Sequence, residues 1–335
     1  METSQYFSSL KDKHVLVIGD INIDRYITGT ASRISPDAPV PVLDVETTET
    51  YIGATGLIIK YILSLGGRVS LCTVIADDLE GGFILNDIQN LGVDLDGIYR
   101  TDGGTPQVTR IKARGQHLLR LEKKNELSQA SRSKMNDLFL AIVSAPSDID
   151  VIVLADYDEG LFSQNYTLIN NIVALANERG IKIIARPEKA NYQFFTGADI
   201  VKFNINLAMS IVGVNSINET SMRIISNRLV NELQSKSLFL AQVDGNSYSF
   251  DCAQEDRFDV IPSYLSHHGR SYVGSGSAQV AALALMTAGG APLPVAARVA
   301  AMAGALAAAK PPLTFFSTID LQEAFDHGSA DQCEP

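Results

Sequence analysis

A two-part rhythm runs along this chain: short, almost wholly apolar segments alternate with longer segments of helical period. The apolar segments are "HVLVIGDI" (His14–Ile21), "RVSLCTVI" (Arg68–Ile75), "DVIVLADY" (Asp150–Tyr157), "IKIIARP" (Ile181–Pro187), "ADIVKFN" (Ala198–Asn204) and "SLFLAQVDG" (Ser237–Gly245). Between them lie patterns such as "LIIKYILSLGG", "GGFILNDIQNLG" and "YTLINNIVALANERG", several ending at Gly, the expected helix stop. A strand with one wet face alternates apolar with polar residues. These strands alternate little, so both of their faces must be covered. A helix after each strand returns the chain for a parallel neighbour. The predicted fold is α/β: three layers, with a mostly parallel central sheet carrying helices on both faces. At 335 residues and 46% apolar, the chain can bury such a core as one domain spanning 1–335.

Two segments interrupt the rhythm. "RYITGTASRISPDAPVPVLDVETTETYIG" (Arg25–Gly53) has no helical period and contains Pro36, Pro39 and Pro41. "TPQVTRIKARGQHLLRLE" (Thr105–Glu122) alternates. Both read as strands outside the main sheet, forming a small β lid from insertions at about 25–53 and 105–122. The cationic stretch "RIKARGQHLLRLEKK" reads as the solvated charged face of a strand pair.

A net charge of −11 argues against a nucleic-acid partner, because phosphate backbones require clustered Lys and Arg, and against an anionic membrane surface. Cys72, Cys252 and Cys333 have no metal-ligand spacing and are odd in number, which suits a reducing compartment; no metal site is expected from them. No apolar stretch before the first strand suits a signal peptide, and no run approaches a membrane span. The expected location is the cytoplasm.

Ligands of an open parallel sheet bind beyond the carboxyl ends of its strands. The polar residues placed there are Asp20 and Asp24, Asp156 and Tyr157, Arg186 and Glu188, and Asn204. Any one of them by itself reads as a loop polar group or a helix cap; their recurrence after several strands raises the joint case. The segment "SYVGSGSAQVAALALMTAGG" (Ser271–Gly290) runs a polar, glycine-spaced loop straight into an Ala/Leu-rich helix. Backbone N–H groups at such a start can cradle an anion, here at Gly274, Ser275 and Gly276. The loop holds no acid and no base. Asp77 and Asp78 in "VIADDLEGG" read as acids at a helix start. The tail "DHGSADQCEP" is expected to fray.

Taken in order, "GDINIDRYITGTASRISPDAPVPVLDV", "TRIKARGQHLLRLE", "VLADYDEG" and the Gly274–Ser277 loop resemble the ribokinase-like (PfkB) carbohydrate kinases. Among these the chain is most similar to the D-glycero-D-manno-heptose-7-phosphate kinase domain of bacteria, over essentially its whole length. The resemblance implies a lid often shared across a homodimer, ATP and Mg as cofactors, and phosphorylation of a sugar hydroxyl. A carboxylate must take the hydroxyl proton while backbone N–H groups hold the developing charge. The family's Gly-Ala-Gly-Asp motif supplies both. Here it reads Gly274-Ser275-Gly276-Ser277, so the cradle is kept and Ser277 stands at the base position.

Other motif positions depart with it. The family's sugar-binding Gly-Gly-Ala-Ala-Asn resembles "GATGL", with Gly53 kept, Ala54 for the second glycine and Leu57 for the Asn. Asn-x-x-Glu resembles "NINL": Asn204 is kept and Leu207 replaces the Glu. Asp-Pro-Lys reads Arg186-Pro187-Glu188, a nearby lysine is Glu159, and the acid ahead of the catalytic loop is Ser271. Asp24 keeps the sugar-binding acid, and Asp20, Arg25 and Tyr26 are kept too. The leading expectation is a pseudokinase that binds a sugar, a phosphorylated ligand, a nucleotide or a protein partner. A second is an active kinase with a relocated base, from His267, His268 or Asp156. A third is a structural partner acting through the lid, its pocket filled by side chains such as Leu57 and Leu207.

Overall fold

The computed structural model describes residues 4–145, 148–252, 257–265 and 271–328. The strands are β1 (His14–Gly19), β2 (Ile21–Ile34), β3 (Pro41–Ala54), β4 (Arg68–Ala76), β5 (Ile98–Thr101), β6 (Gln107–Ala113), β7 (Gln116–Lys123), β8 (Val151–Ala155), β9 (Lys182–Arg186), β10 (Ile200–Asn204), β11 (Ser237–Ala241), β12 (Ser247–Asp251) and β13 (Arg257–Ile261). The helices are α1 (Ser4–Ser8), α2 (Thr55–Ser64), α3 (Leu79–Asn90), α4 (Gln129–Ser144), α5 (Tyr166–Glu178), α6 (Ile205–Val212), α7 (Glu219–Leu233), α8 (Ser275–Ala288), α9 (Leu293–Ala309) and α10 (Thr318–His327).

The apolar strands do what two covered faces require. In β1, Val15 and Val17 enter one hydrophobic core while Leu16 and Ile18 enter the other. In β8, Val151 and Val153 divide from Ile152 and Leu154 in the same way. Among the described residues the main sheet has nine strands in the order β13-β12-β11-β10-β9-β8-β1-β4-β5. From β11 to β5 its pairs are parallel, and β12 and β13 add an antiparallel edge. Residues of α2, α8 and α9 build the first core, those of α4, α5 and α7 the second. No described helix is long and apolar enough to cross a membrane.

The lid is a separate four-stranded sheet, β3-β2-β6-β7. It starts earlier than Arg25: β1 ends at Gly19, and β2 begins at Ile21 after the single residue Asp20. The first four residues of β2 are buried beside the main sheet before the strand emerges. Its second insertion is the β6–β7 hairpin, with β6 parallel to β2. The edge strands β12 and β13 are absent from the sequence expectation, although Ser247-Tyr248-Ser249-Phe250-Asp251 alternates as a strand does; each is only five residues long.

Candidate functional site

The lid stands over the carboxyl ends of β1, β8 and β9 and over the start of α8, leaving a cleft of about 670 Å3. Its lining includes Asp24, Leu57, Glu159 and Glu188 together with Gly276 and Ser277. Leu57 lines the cleft without filling it. Leu207 is not in the cleft at all; it packs against the second core.

At the base, α8 opens without a side-chain cap and with no acid in its first turn. Gly274 precedes it at φ 85°, and a Cβ there would come 3.2 Å from the Tyr61 hydroxyl, so both conformation and space call for glycine. The N–H groups of Gly276 and Ser277 bond to no other described residue. They point along a helix of 14 residues whose dipole favours an anion at this end. Ser277, at the expected base position, is buried, and its Oγ lies 3.3 Å from the Tyr157 hydroxyl. Burial pushes the Tyr157 phenol up, while Arg186 and the Ser277 contact oppose the shift. Neither hydroxyl is a base near neutral pH. Ser271 uses its Oγ to accept from the Val273 amide.

Two buried carboxyls shape the loop after β8. Asp20 accepts from the amides of Tyr157 at 2.8 Å and Leu161 at 3.0 Å, with a longer contact to Glu159. Asp20 therefore lies beneath the cleft, and it is pushed up to about 7 by burial and by repulsion from Asp156. Asp156 accepts from Asp158 N at 2.8 Å, Glu188 N at 3.0 Å and Asn191 Nδ2 at 3.2 Å. With its acceptors so occupied, Asp156 is a brace between loops. Glu159 differs: it lines the cleft, its Oε2 is buried without a hydrogen bond, and burial, then Asp20, pushes it up to about 7. The reversed charges of the Arg186-Pro187-Glu188 segment cancel locally. Arg186 pairs with Glu188 at 2.8 Å, stacks 4.0 Å over the Tyr157 ring and donates to the Asp156 carbonyl.

Under the lid, Asp24 accepts from Arg110, with both side chains largely buried. Gly53 lies against this acid: a Cβ there would come 2.2 Å from Asn22 Oδ1 and 2.5 Å from Asp24 Oδ2. Ala54 follows at φ 52° and ψ −122°, a backbone conformation that suits glycine and strains alanine. Asn204 lines an adjoining cavity and uses its Oδ1 to cap α6, accepting from Asn206 N at 2.9 Å. Asp78 caps α3, as expected of a helix-start acid, and Asp77 pairs with Arg100 at the surface.

All eight residues of β7 are exposed, as the solvated face of a strand pair requires, and the β6–β7 hairpin also borders the cleft. Arg110, Lys112, His117 and Arg120 all line the cleft. The register sets Arg110 opposite Arg120 and Lys112 opposite His117. Limited desolvation in the mouth of the cleft and the charges of Lys112 and Arg110 disfavour the imidazolium of the exposed His117. The i, i+2 spacing of Arg110 and Lys112 was the available signal, since it puts two cations on one strand face. Their orientation toward the cleft depends on where the lid sits. Among the described residues no group of three or more His, Cys, Asp and Glu side chains could hold a metal ion. His267, His268 and Cys333 lie outside the described residues, as does the tail beyond Gly328.

Known proteins agree with this architecture. The chain is 27% identical over 326 residues to the bifunctional protein HldE of Syntrophotalea carbinolica, covering 96% of this chain and 65% of that protein. It is 28% identical to HldE of Geobacter sulfurreducens over 95% of this chain and 64% of that protein. It thus spans a little under two thirds of these relatives' length. Phosphofructokinase-2 of Escherichia coli in its tetrameric inhibited form superposes with a TM-score of 0.75 at 16% identity, over 95% of this chain and 99% of that one. The same enzyme in complex with fructose-6-phosphate gives 0.73 at 16% identity over the same shares. Both structures speak to the fold, which is the mostly parallel sheet with two helical layers described above. The model of the pfkB family carbohydrate kinases matches residues 12–318, and the chain belongs to that family.

Proposed function

We propose that this chain binds a phosphorylated sugar of the heptose-phosphate class between its lid and α8, and that its phosphoryl transfer is impaired. The observation that carries the reading is the cross-strand pairing of Arg110 with Arg120 and of Lys112 with His117 on the wall of the cleft. Arg110 and Arg120 are like charges directly opposite, which destabilises a strand pair; Arg110 is offset by Asp24 and Arg120 by Glu122 at 2.6 Å. A phosphate beside Arg110, Arg120 and Lys112 offsets the repulsion that is left, with His117 as a neutral donor, and in a chain of net charge −11 such a cluster has a specific use. Asp24, held by Arg110, remains in place to accept from sugar hydroxyls.

Impairment rests on the start of α8. No acid stands in its first turn, and Ser277 faces the Tyr157 hydroxyl. Loss of a general base alone removes on the order of two to four decades of rate. The residues present also do not fit the magnesium arrangement that the resemblance implies, since the aliphatic Leu207 packs against the second core and the Asn204 Oδ1 caps a helix. The role that follows is binding or regulation. The lid also supports pairing with a second copy: Leu119 and Leu121 are 52% and 49% exposed and alternate with Arg120, so they face away from the cleft. Sedimentation of the wild type against a Leu119→Lys, Leu121→Lys variant tests this, and identical masses sink it.

Glu159 favours a second reading. A carboxyl pushed up to about 7, lining the cleft with one oxygen free, has the properties of a relocated base. Calorimetric titration with heptose 7-phosphate, run beside an ADP-release assay with ATP and magnesium, separates the two. The first reading expects binding without turnover. Turnover at ordinary kinase rates, lost at least ~100-fold in Glu159→Gln, establishes the second. Absence of heptose-phosphate binding overturns both.

A further inference from the structure

At the amino ends of β1 and β4, the end of the sheet away from the cleft, three side chains from distant parts of the chain meet. His14 Nδ1 lies 2.7 Å from Asp148 Oδ1, and His14 Nε2 lies 2.8 Å from Ser70 Oγ. The register brings two of them together: Arg68 pairs with His14, and Ser70, two residues on, shares the same face of the sheet. Asp148 comes from the segment between α4 and β8, which the His14 amide ties down through Asp150 at 2.8 Å. Arg68 Nη2 donates to the second Asp148 oxygen at 2.5 Å and so keeps Oδ1 for the ring. The bonds from Arg68, then His14, hold the Asp148 carboxyl down at about 2, so near neutral pH it can only accept. In the neutral imidazole Nδ1 therefore carries the proton, and Nε2 accepts from the Ser70 hydroxyl. This is the tautomer in which an imidazole can take a serine proton. The His14 side chain is 14% exposed and Ser70 is half-buried, and β5, which first pairs opposite Thr73, does not cover this end of β4.

We propose that Ser70 is a nucleophilic serine, with His14 as its base and Asp148 as the group that positions the ring, and that it reacts with small carboxylic esters. The site goes beyond the sugar-phosphate reading and shares no residue with the cleft. Ser70 Oγ adds to the ester carbonyl as its proton passes to His14 Nε2. The imidazolium then protonates the departing alkoxide, which leaves an acyl-serine and an alcohol. Water, giving its proton to the same nitrogen, releases the carboxylic acid and restores the serine. Arg68 lies on the Ser70 face of β4 and donates through Nε to the Asp12 carbonyl and through Nη2 to Asp148, so Nη1 remains to meet the charge that develops on the carbonyl oxygen. A half-buried hydroxyl between two strands suits an acyl group of acetyl size. The charged groups around His14 are Asp12 and Lys13 ahead of β1, Arg68 on β4, and Asp148 and Asp150 ahead of β8; Arg179, at the end of α5, bonds the Val143 carbonyl of α4.

The test treats the full chain with p-nitrophenyl acetate, quenches it in acid and locates the acetyl group by peptide mass spectrometry. The expected result is acetylation of Ser70, at a rate that rises with pH along one ionisation. His14→Gln should slow it at least ~100-fold, and imidazole added to a His14→Gly variant should restore part of the rate. Asp148→Asn should move the ionisation to lower pH, because the imidazolium loses its carboxylate. No acetyl group on Ser70 of the native wild type overturns the proposal, and so does an equal rate at Ser70 in protein unfolded by urea. Acetylation of Ser70 at the wild-type rate in His14→Gln also overturns it, leaving a hydrogen-bonded clamp between strand ends. An unmoved profile in Asp148→Asn overturns the positioning role of Asp148. Because the native wild type is read directly, a variant that fails to fold does not rescue the idea.

Discussion

Replacing Arg110 by Met removes the guanidinium that Asp24 depends on and retains much of the apolar stem that packs in the lid. The pair is mostly withdrawn from water, with side-chain exposures of 18% for Arg110 and 12% for Asp24. Breaking a fully buried ion pair costs about 3–5 kcal/mol, because the remaining charge is left without a partner. An exposed pair is worth about 0–1 kcal/mol. The open cleft gives the orphaned Asp24 some water, which places Arg110→Met at about 2–3 kcal/mol destabilising. The 5.2 Å contact of Arg110 with the Tyr26 ring adds little to this. Asp24→Asn is milder, since Arg110 keeps the ring and the solvent. The double variant has no orphaned charge, so it should be more stable than Arg110→Met alone, with a coupling energy of about 2 kcal/mol. The chain has no Trp, so urea unfolding is followed by circular dichroism. Additive single effects, or an Arg110→Met variant within about 0.5 kcal/mol of wild type, would show that Asp24 is solvated and that the pair does not organise the cleft.

Glu159→Gln should stabilise the protein by about 2 kcal/mol at pH 8 and hardly at all at pH 5, read as the difference between urea midpoints. The sign follows from a folded-state value raised to about 7. The folded protein then holds a proton that the unfolded chain has lost, and stability declines as pH rises from about 4.5 toward 7. Asp20, also raised to about 7, acts in the same direction. Gly53→Ala should leave the far-ultraviolet spectrum intact and weaken heptose 7-phosphate binding more than ~10-fold, because the added methyl displaces Asp24; unchanged affinity would remove Asp24 from the ligand site. Asp78→Ala should cost about 2–3 kcal/mol in a thermal or urea melt, since it loses the α3 cap to Gly81 N at 2.8 Å and the Thr105 hydroxyl at 2.6 Å. Burial pushes Asp78 up, but the bonds from Thr105 and Gly81 outweigh it and the net shift is down. Its contribution is therefore present above the usual aspartate value and is lost as pH falls through the lower folded one.

Much of the fold is legible in residues close together in the chain. Val15, Leu16, Val17 and Ile18 are apolar without alternation, and a strand of that kind must lie between two covered layers wherever it sits. The glycine-spaced entry to α8 is likewise readable as an uncapped helix start, since its backbone geometry is local. The replaced motif positions, Ser277, Leu57, Leu207 and Glu188, can be read as replacements from the sequence. Their surroundings cannot. Asp156 and Asn204 stand at the ends of strands as ligand-binding residues would, yet distant or neighbouring amides occupy them. Lys202 sits inside an apolar run, and only the approach of α8, more than 70 residues later, makes its ammonium an unpaired charge in a cavity. Arg110 and Lys112 belong to a strand whose alternation is obvious, but which of its faces meets solvent depends on the placement of the whole lid over the main sheet. Period and backbone entropy act over a few residues and can be read in order. Desolvation and Coulomb interactions depend on distance in space, so the charge states of Asp20, Glu159 and Lys202 came into existence only when the chain closed around them.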